Sequence, residues 1–185
     1  MPRPVRETSA SRRPRRVNAD DLELEVPIQF AATRKGVPHP GVLRRWAVAA
    51  FIGGTPGAAT RLRVPRISIT IRIVGAAESR RLNRLWRGKD KPTNVLSFPS
   101  GLADAGQPAA SDDSLPLGDL VICAPVVARE AREQVKSPQS HWAHMVIHGV
   151  LHLLGYDHEI EGEAELMEER EMNLLATFGY PNPYV

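Results

Sequence analysis

A single cysteine in a chain of 185 residues excludes an internal disulfide and suits a reducing compartment. Cys123 lies in a run of apolar residues that begins at Leu120 and reads as a buried strand residue, not as a redox or metal thiol. No apolar stretch reaches the roughly 18 residues that a membrane span needs. The first residues also lack the apolar core of a secretory leader. The expectation is a cytoplasmic protein with no membrane partner. Residues 1 to 17 are short of acid as well as of large apolar side chains: six arginines stand against Glu7 alone, interrupted by Pro2, Pro4 and Pro14. Such a segment cannot bury enough surface to fold. Residues 1–19 are therefore expected to be a disordered basic tail, a solvated extension or an arm for a polyanion, with an organellar transit peptide discouraged by the three prolines. Residues 20–185 are expected to be one domain, long enough to bury a core.

The formal net charge is only +3, but the charge is segregated. From Arg61 to Lys91, ten basic residues face only Glu78 and Asp90. That stretch is either a solvated face or a surface for phosphates, which lysine and arginine bind. From Asp157 to Glu171, eight acidic residues face Arg170 alone. This helix is expected to turn toward solvent or a basic partner, and not toward a polyanion.

Chemistry concentrates in HGVLHLLGYDH, from His148 to His158. Residues four apart on a helix share a face, with Cβ atoms about 5–6 Å apart. His148 and His152 can thus aim two imidazoles at one ion, at the usual Zn–N distance of about 2 Å. Gly155 can end the helix in a left-handed conformation, so that Tyr156 and Asp157 turn the chain and return His158 to the same ion. The spacing is that of the metzincin pattern at every position but one. Gly149 stands where metzincins carry the glutamate that serves as general base, so peptide hydrolysis lacks its proton acceptor. Three imidazoles still leave a fourth position for water, whose pKa zinc lowers to about 7. His141 and His144 lie upstream. His144 and His152 are separated by about 12 Å of helix rise, too far to share an ion with His148 between them. His141 and His144 read as capping residues or as partners of the ligands, with His144 also a candidate to line the same cleft.

Three stretches in order, LNRLWRGKDKPTNVLSFP from Leu82, LGDLVIC from Leu117 and HWAHMVIHGVLHLLGYDH from His141, resemble the bacterial endoribonuclease YbeY family of rRNA maturation factors. The resemblance covers most of residues 20 to 180. It implies a zinc-dependent, single-strand-specific endoribonuclease, a hydrolase acting in small-subunit rRNA 3′-end maturation and in ribosome quality control. Its partners would be an rRNA precursor and the ribosome or its small subunit. Carried over by position, the metal ligands are His148, His152 and His158, holding one Zn(2+) per chain, and the catalytic positions are His148 and Arg87. Lys89 and Lys91 follow as weaker candidates for contacts to RNA. A guanidinium's planar fork suits phosphate oxygens, although an arginine at a helix C-terminus is also favoured by the helix dipole. Asp157 and Asp119 either orient ligand imidazoles or serve as a turn residue and a strand-start cap. No general base is evident. Two other readings share these features: a ribosome-assembly protein with a structural zinc, and a metallohydrolase of different specificity.

Periodicity predicts a strand from Leu22 to Gln29, a helix from His39 to Phe51 and a half-buried strand through Ile67, Ile69, Ile71 and Ile73. A helix from about Ala76 to Trp86 comes next, placing Arg87 at its end before a Gly88-Lys89-Asp90 turn. Strands Asn94 to Phe98 and Leu117 to Cys123 flank a small-residue insert, and three helices complete the chain. This order predicts an α+β, mixed α/β single domain with a small sheet of about four strands covered by helices. The resemblance adds a zincin-like metal helix.

Overall fold

The computed structural model describes residues 23–55, 66–101, 114–156 and 161–185. The expected tail, Arg61 and Arg63, most of the small-residue insert, and Asp157 and His158 lie outside the described residues. Two short strands open the fold, β1 (Glu23–Glu25) and β2 (Ile28–Phe30). A single strand was expected from Leu22 to Gln29. Pro27, which has no N–H to give to a ladder, divides it, and the Pro27 carbonyl instead accepts from Ile71 N at 2.9 Å. Helix α1 (Pro40–Gly54) follows, its first turn held by the His39 side chain, which accepts from Gly41 N at 3.2 Å.

Strand β3 (Arg66–Val74) is the axis of the sheet, with both β1 and β2 parallel along one edge. After it come α2 (Ala76–Arg87), β4 (Val95–Pro99), β5 (Ser114–Cys123), α3 (Ala124–Glu133), α4 (Pro138–Leu153) and α5 (Glu161–Thr177). β5 lies parallel to β3 on its other side, and β4 closes that side as an antiparallel edge strand. The expected α+β architecture is the one found.

Alternation along the strands sorts side chains to two faces. Ile67, Ile69, Ile71 and Ile73 are fully buried with Leu120, Ile122 and Val95 against α1, α4 and α5. Each such isoleucine contributes about 1.5–3 kcal/mol by leaving water. The other face holds a smaller cluster, Val74, Leu96, Val121 and Cys123, which Val126 of α3 joins and on which Leu82 of α2 packs. Cys123 is buried, as its apolar surroundings predicted. The sheet therefore separates α2 from α4. Its register slips between Ser68 and Ile69, opposite Pro116 and Gly118, and Leu117 becomes the extra residue of a bulge. Gly118 has φ 151°, and a Cβ there would stand 2.4 Å from the Phe98 carbonyl oxygen, so only glycine lets β4 and β5 approach here.

Candidate metal centre

Helix α4 begins at Ser137, whose hydroxyl accepts from Ser140 N at 3.0 Å. It buries Trp142, Val146, Ile147, Val150 and Leu151 in the core. His144, His148 and His152, spaced by four, form a row on the helix and are only partly buried. The helix closes as expected: Gly155 has φ 89°, and Tyr156 N donates to the Leu151 carbonyl at 3.1 Å. Tyr156 is then anchored by its hydroxyl, which donates to Gly54 O at 3.0 Å.

The two ring nitrogens of His148 have different neighbours. Nδ1 lies 2.8 Å from Glu171 Oε1, and Nε2 lies 3.1 Å from Nε2 of His152. Glu171 comes from α5 and is completely buried. Its other oxygen, Oε2, lies 2.8 Å from His144 Nε2 and also accepts from the Tyr184 hydroxyl. Burial opposes ionisation of this carboxyl, but the hydrogen bonds from His144 and His148 outweigh it and bring its pKa down to about 2. Burial and the neighbouring Glu171 push the Tyr184 phenol upward, so it stays a donor.

One ligand atom each from His144, His148 and Glu171 lie within 4.8 Å of one another, and the group could hold a metal ion. The pairing of Nε2 atoms offers a different place, on the other nitrogen of the same His148. Two imidazole nitrogens 3.1 Å apart share either a proton or a cation. With an ionised Glu171 accepting the Nδ1 proton, the neutral His148 ring has its lone pair on Nε2, toward His152. Three donors already meet the Glu171 carboxylate, so it serves better to orient His148 than to bind a metal itself. This is the carboxylate–histidine arrangement found behind many zinc ligands.

A family-wide model described as Endoribonuclease YbeY matches residues 57–179. A protein named endoribonuclease YbeY from Halorhodospira halophila is 60% identical over 162 residues, covering 88% of this chain and 97% of its own length. One of the same name from Alkalilimnicola ehrlichii is 52% identical over 169 residues, covering 90% and 93%. The chain belongs to the endoribonuclease YbeY family. It is thereby a member of a family of hydrolases acting on RNA phosphodiester bonds, as the three motifs implied. Among solved structures, the solution structure of TM1509 from Thermotoga maritima matches with a TM-score of 0.49 and 21% identity, covering 84% of this chain and 92% of that one.

The other residues singled out by the sequence fall in three places. Arg87 stands exposed at the C-terminus of α2, followed by Gly88 with φ 68°, and has no hydrogen bond or ion pair among the described residues. Lys89 and Lys91 are exposed beside it. All three follow from α2, which packs on the sheet face opposite α4 and whose last turn reaches edge strand β4 through Trp86 and Phe98. Asp119 faces α2 as well, which removes it as a partner of the ligand imidazoles. His141 is buried and lies 2.9 Å from Glu130 Oε2, tying α4 to α3.

The acidic helix needs the largest correction. Expected to face solvent or a basic partner, α5 does leave Glu163, Glu165, Glu168 and Glu169 exposed, but it buries Glu171 against the histidines. A signal existed, because Met167, Glu171, Leu174 and Leu175 recur at helical spacing and Met167, Leu174 and Leu175 are core residues. A glutamate on an apolar stripe requires a polar partner. Nothing local marks Tyr184, which reaches Glu171 from the segment that follows α5. Gly149 also acquires a reason: a Cβ there would lie 2.9 Å from Leu120 Cδ2 and 3.3 Å from Val95 Cγ2. Position 149 points into the core, where no base could serve a substrate.

Proposed function

We propose that this protein is a zinc-dependent, single-strand-specific endoribonuclease that matures the 3′ end of small-subunit rRNA and takes part in ribosome quality control in the cytoplasm. Its partners in that role are an rRNA precursor and the ribosome or small ribosomal subunit. The observation that carries the metal assignment is the 3.1 Å approach of His148 Nε2 and His152 Nε2, with His148 Nδ1 engaged by buried Glu171. These residues suit zinc, a metal that accepts imidazole readily. His148, His152 and His158 would hold one ion per chain. Bound zinc supplies a Lewis acid for a phosphoryl oxygen and lowers the pKa of water.

The chain's own residues supply the rest. Glu171, held by His144 and Tyr184, retains the proton on His148 Nδ1 and fixes the ring's direction. Arg87 is the phosphate clamp, presenting two parallel N–H donors to phosphate oxygens, and Lys89 and Lys91 add positive charge along the strand. The test pairs metal analysis with an RNase assay on wild-type protein and on His148→Ala. The reading expects about one zinc per wild-type chain, as a single three-histidine site requires, and cleavage of single-stranded rRNA. Both should fall together in the variant, which also controls for contaminating nuclease. Cleavage that survives intact in metal-free His148→Ala would overturn it.

A further inference from the structure

On the sheet face away from α4, a cavity of about 610 Å³ opens between α2 and the strands. Its walls combine features that neither the metal centre nor the core uses. Trp86 of α2 is 65% exposed, against 1% for Trp46 and for Trp142. Its indole meets the Phe98 ring edge-on, with centroids 5.7 Å apart. An exposed tryptophan backed by a second ring is an apolar platform without a cover. Across from it on the same sheet face stands Asp119 of β5, exposed and with no hydrogen bond or ion pair among the described residues. Arg72, which also lines the cavity, is already paired with Glu78 at 3.0 Å and does not neutralise Asp119. The rim is positive: from Ala76 to Lys91, six basic residues stand against two acidic ones, and Asp90 is spent on Arg80.

An aromatic platform, a lone carboxylate and a cationic rim together fit one unit of a single-stranded nucleic acid. The base stacks on the indole, the carboxylate accepts from N–H donors on the base edge, and the arginines meet the flanking phosphates. We propose that this cavity binds an unstacked nucleobase of the RNA strand, guanine foremost. Guanine presents N1–H and N2–H side by side, two parallel donors that one carboxylate accepts together. Uracil offers a single N–H between two carbonyl oxygens, which the Asp119 carboxylate repels. Strand β4 links the two sides of the sheet. Phe98 lies on the cavity side, while the preceding Ser97 donates to the Gly149 carbonyl of α4 at 3.1 Å, one residue from His148. A strand held in the cavity and passing over this edge arrives at the metal helix. The proposal rests on the reading of the chain as a single-strand endoribonuclease, to which it adds a base-selective subsite.

Fluorescence of Trp86, the exposed tryptophan, provides the test. The full-length protein is titrated with end-labelled UUUGUU and UUUUUU, following tryptophan quenching, the anisotropy of the label and, in parallel, cleavage. UUUGUU should quench the emission and bind about 5- to 100-fold more tightly than UUUUUU. Asp119→Asn, an exposed and nearly isosteric change, should lose that preference and raise KM more than it lowers kcat. Trp86→Ala, followed by anisotropy, should weaken both oligomers, whereas Trp86→Phe should retain much of the binding. Cleavage by wild-type protein without quenching, or unchanged base preference in Asp119→Asn, would overturn the subsite and leave the nuclease reading standing. Full RNA affinity in Trp86→Ala would assign this face to a protein partner and also end the proposal. Absence of both cleavage and binding by the wild type would remove the nuclease reading and the subsite with it.

Discussion

Glu171 illustrates how one buried charge organises a site. Three donors surround its carboxylate, and the net effect on His148 is orientation. Glu171→Gln keeps the volume but cannot accept from two imidazoles and a phenol at once. It is expected to weaken zinc binding by about 10- to 100-fold, the usual effect of losing such a partner, measured by competition with a chromophoric chelator. His152→Ala should lose most of the metal outright. Full zinc retention in His148→Ala, His152→Ala and His158→Ala alike would refute the ligand set. Arg87→Ala should keep its zinc and its fold while losing RNA cleavage, and Arg87→Lys should rescue poorly because it lacks the planar fork. Undiminished cleavage by the folded alanine variant would exclude the clamp. Gly149→Glu, the change that completes the metzincin motif on paper, should not create a peptidase. Its carboxylate would enter the space of Leu120 and Val95, at a cost of about 3 kcal/mol or more, visible as a fall in the denaturant midpoint.

At the scale of elements, the loop after α2 is latched to two helices. Asn94 Nδ2 donates to Glu130 Oε2 at 3.1 Å, and the same oxygen lies 2.9 Å from His141 Nε2. Ser79 and Asn83 of α2 fasten the loop from the other side, through Thr93 and the Lys91 carbonyl. Burial raises the Glu130 carboxyl, but hydrogen bonds from His141 and Asn94 prevail and hold it below the ordinary value of 4.5. A carboxyl depressed in the folded state stabilises the fold above its unfolded pKa. The contribution is lost as pH falls through the folded value. Glu130→Gln should therefore lower stability by about 1–3 kcal/mol at neutral pH. The gap between variant and wild type should close on acidification, as followed by urea melts from pH 7 to pH 3. A gap independent of pH would show that the latch owes nothing to its charge.

For the molecule as a whole, the division of chemistry between two sheet faces makes binding and metal loading separable. RNA affinity should fall linearly with salt on a log–log plot, with a slope near 0.7 per phosphate contacted for a single strand, as an order-of-magnitude guide. Removing residues 1–17 should lower affinity modestly and leave both that salt dependence and cleavage in place, since Arg81, Arg84, Arg87, Lys89 and Lys91 remain exposed along α2 and its following turn. Loss of all salt-sensitive binding in the shortened protein would place RNA recognition in the tail. Among the described residues no helix is long and apolar enough to cross a membrane.

Local pattern alone determined the alternating isoleucines of β3, the amphipathic α1 and α2, the histidine spacing of α4 and the stop at Gly155, because each depends on neighbours within about a turn or a few strand residues. The family, too, was legible in three ordered motifs. Tertiary structure decided what lies across space from what. It split the first strand at Pro27 against β3, put Asp119 on the face opposite the histidines, and drew Glu171, itself held by Tyr184, onto His148. The physical reason is that a strand's side chains take one face or the other only once the sheet is covered. Likewise, a carboxylate in an acidic helix declares its role only when the donors that permit its burial have arrived from elsewhere in the chain.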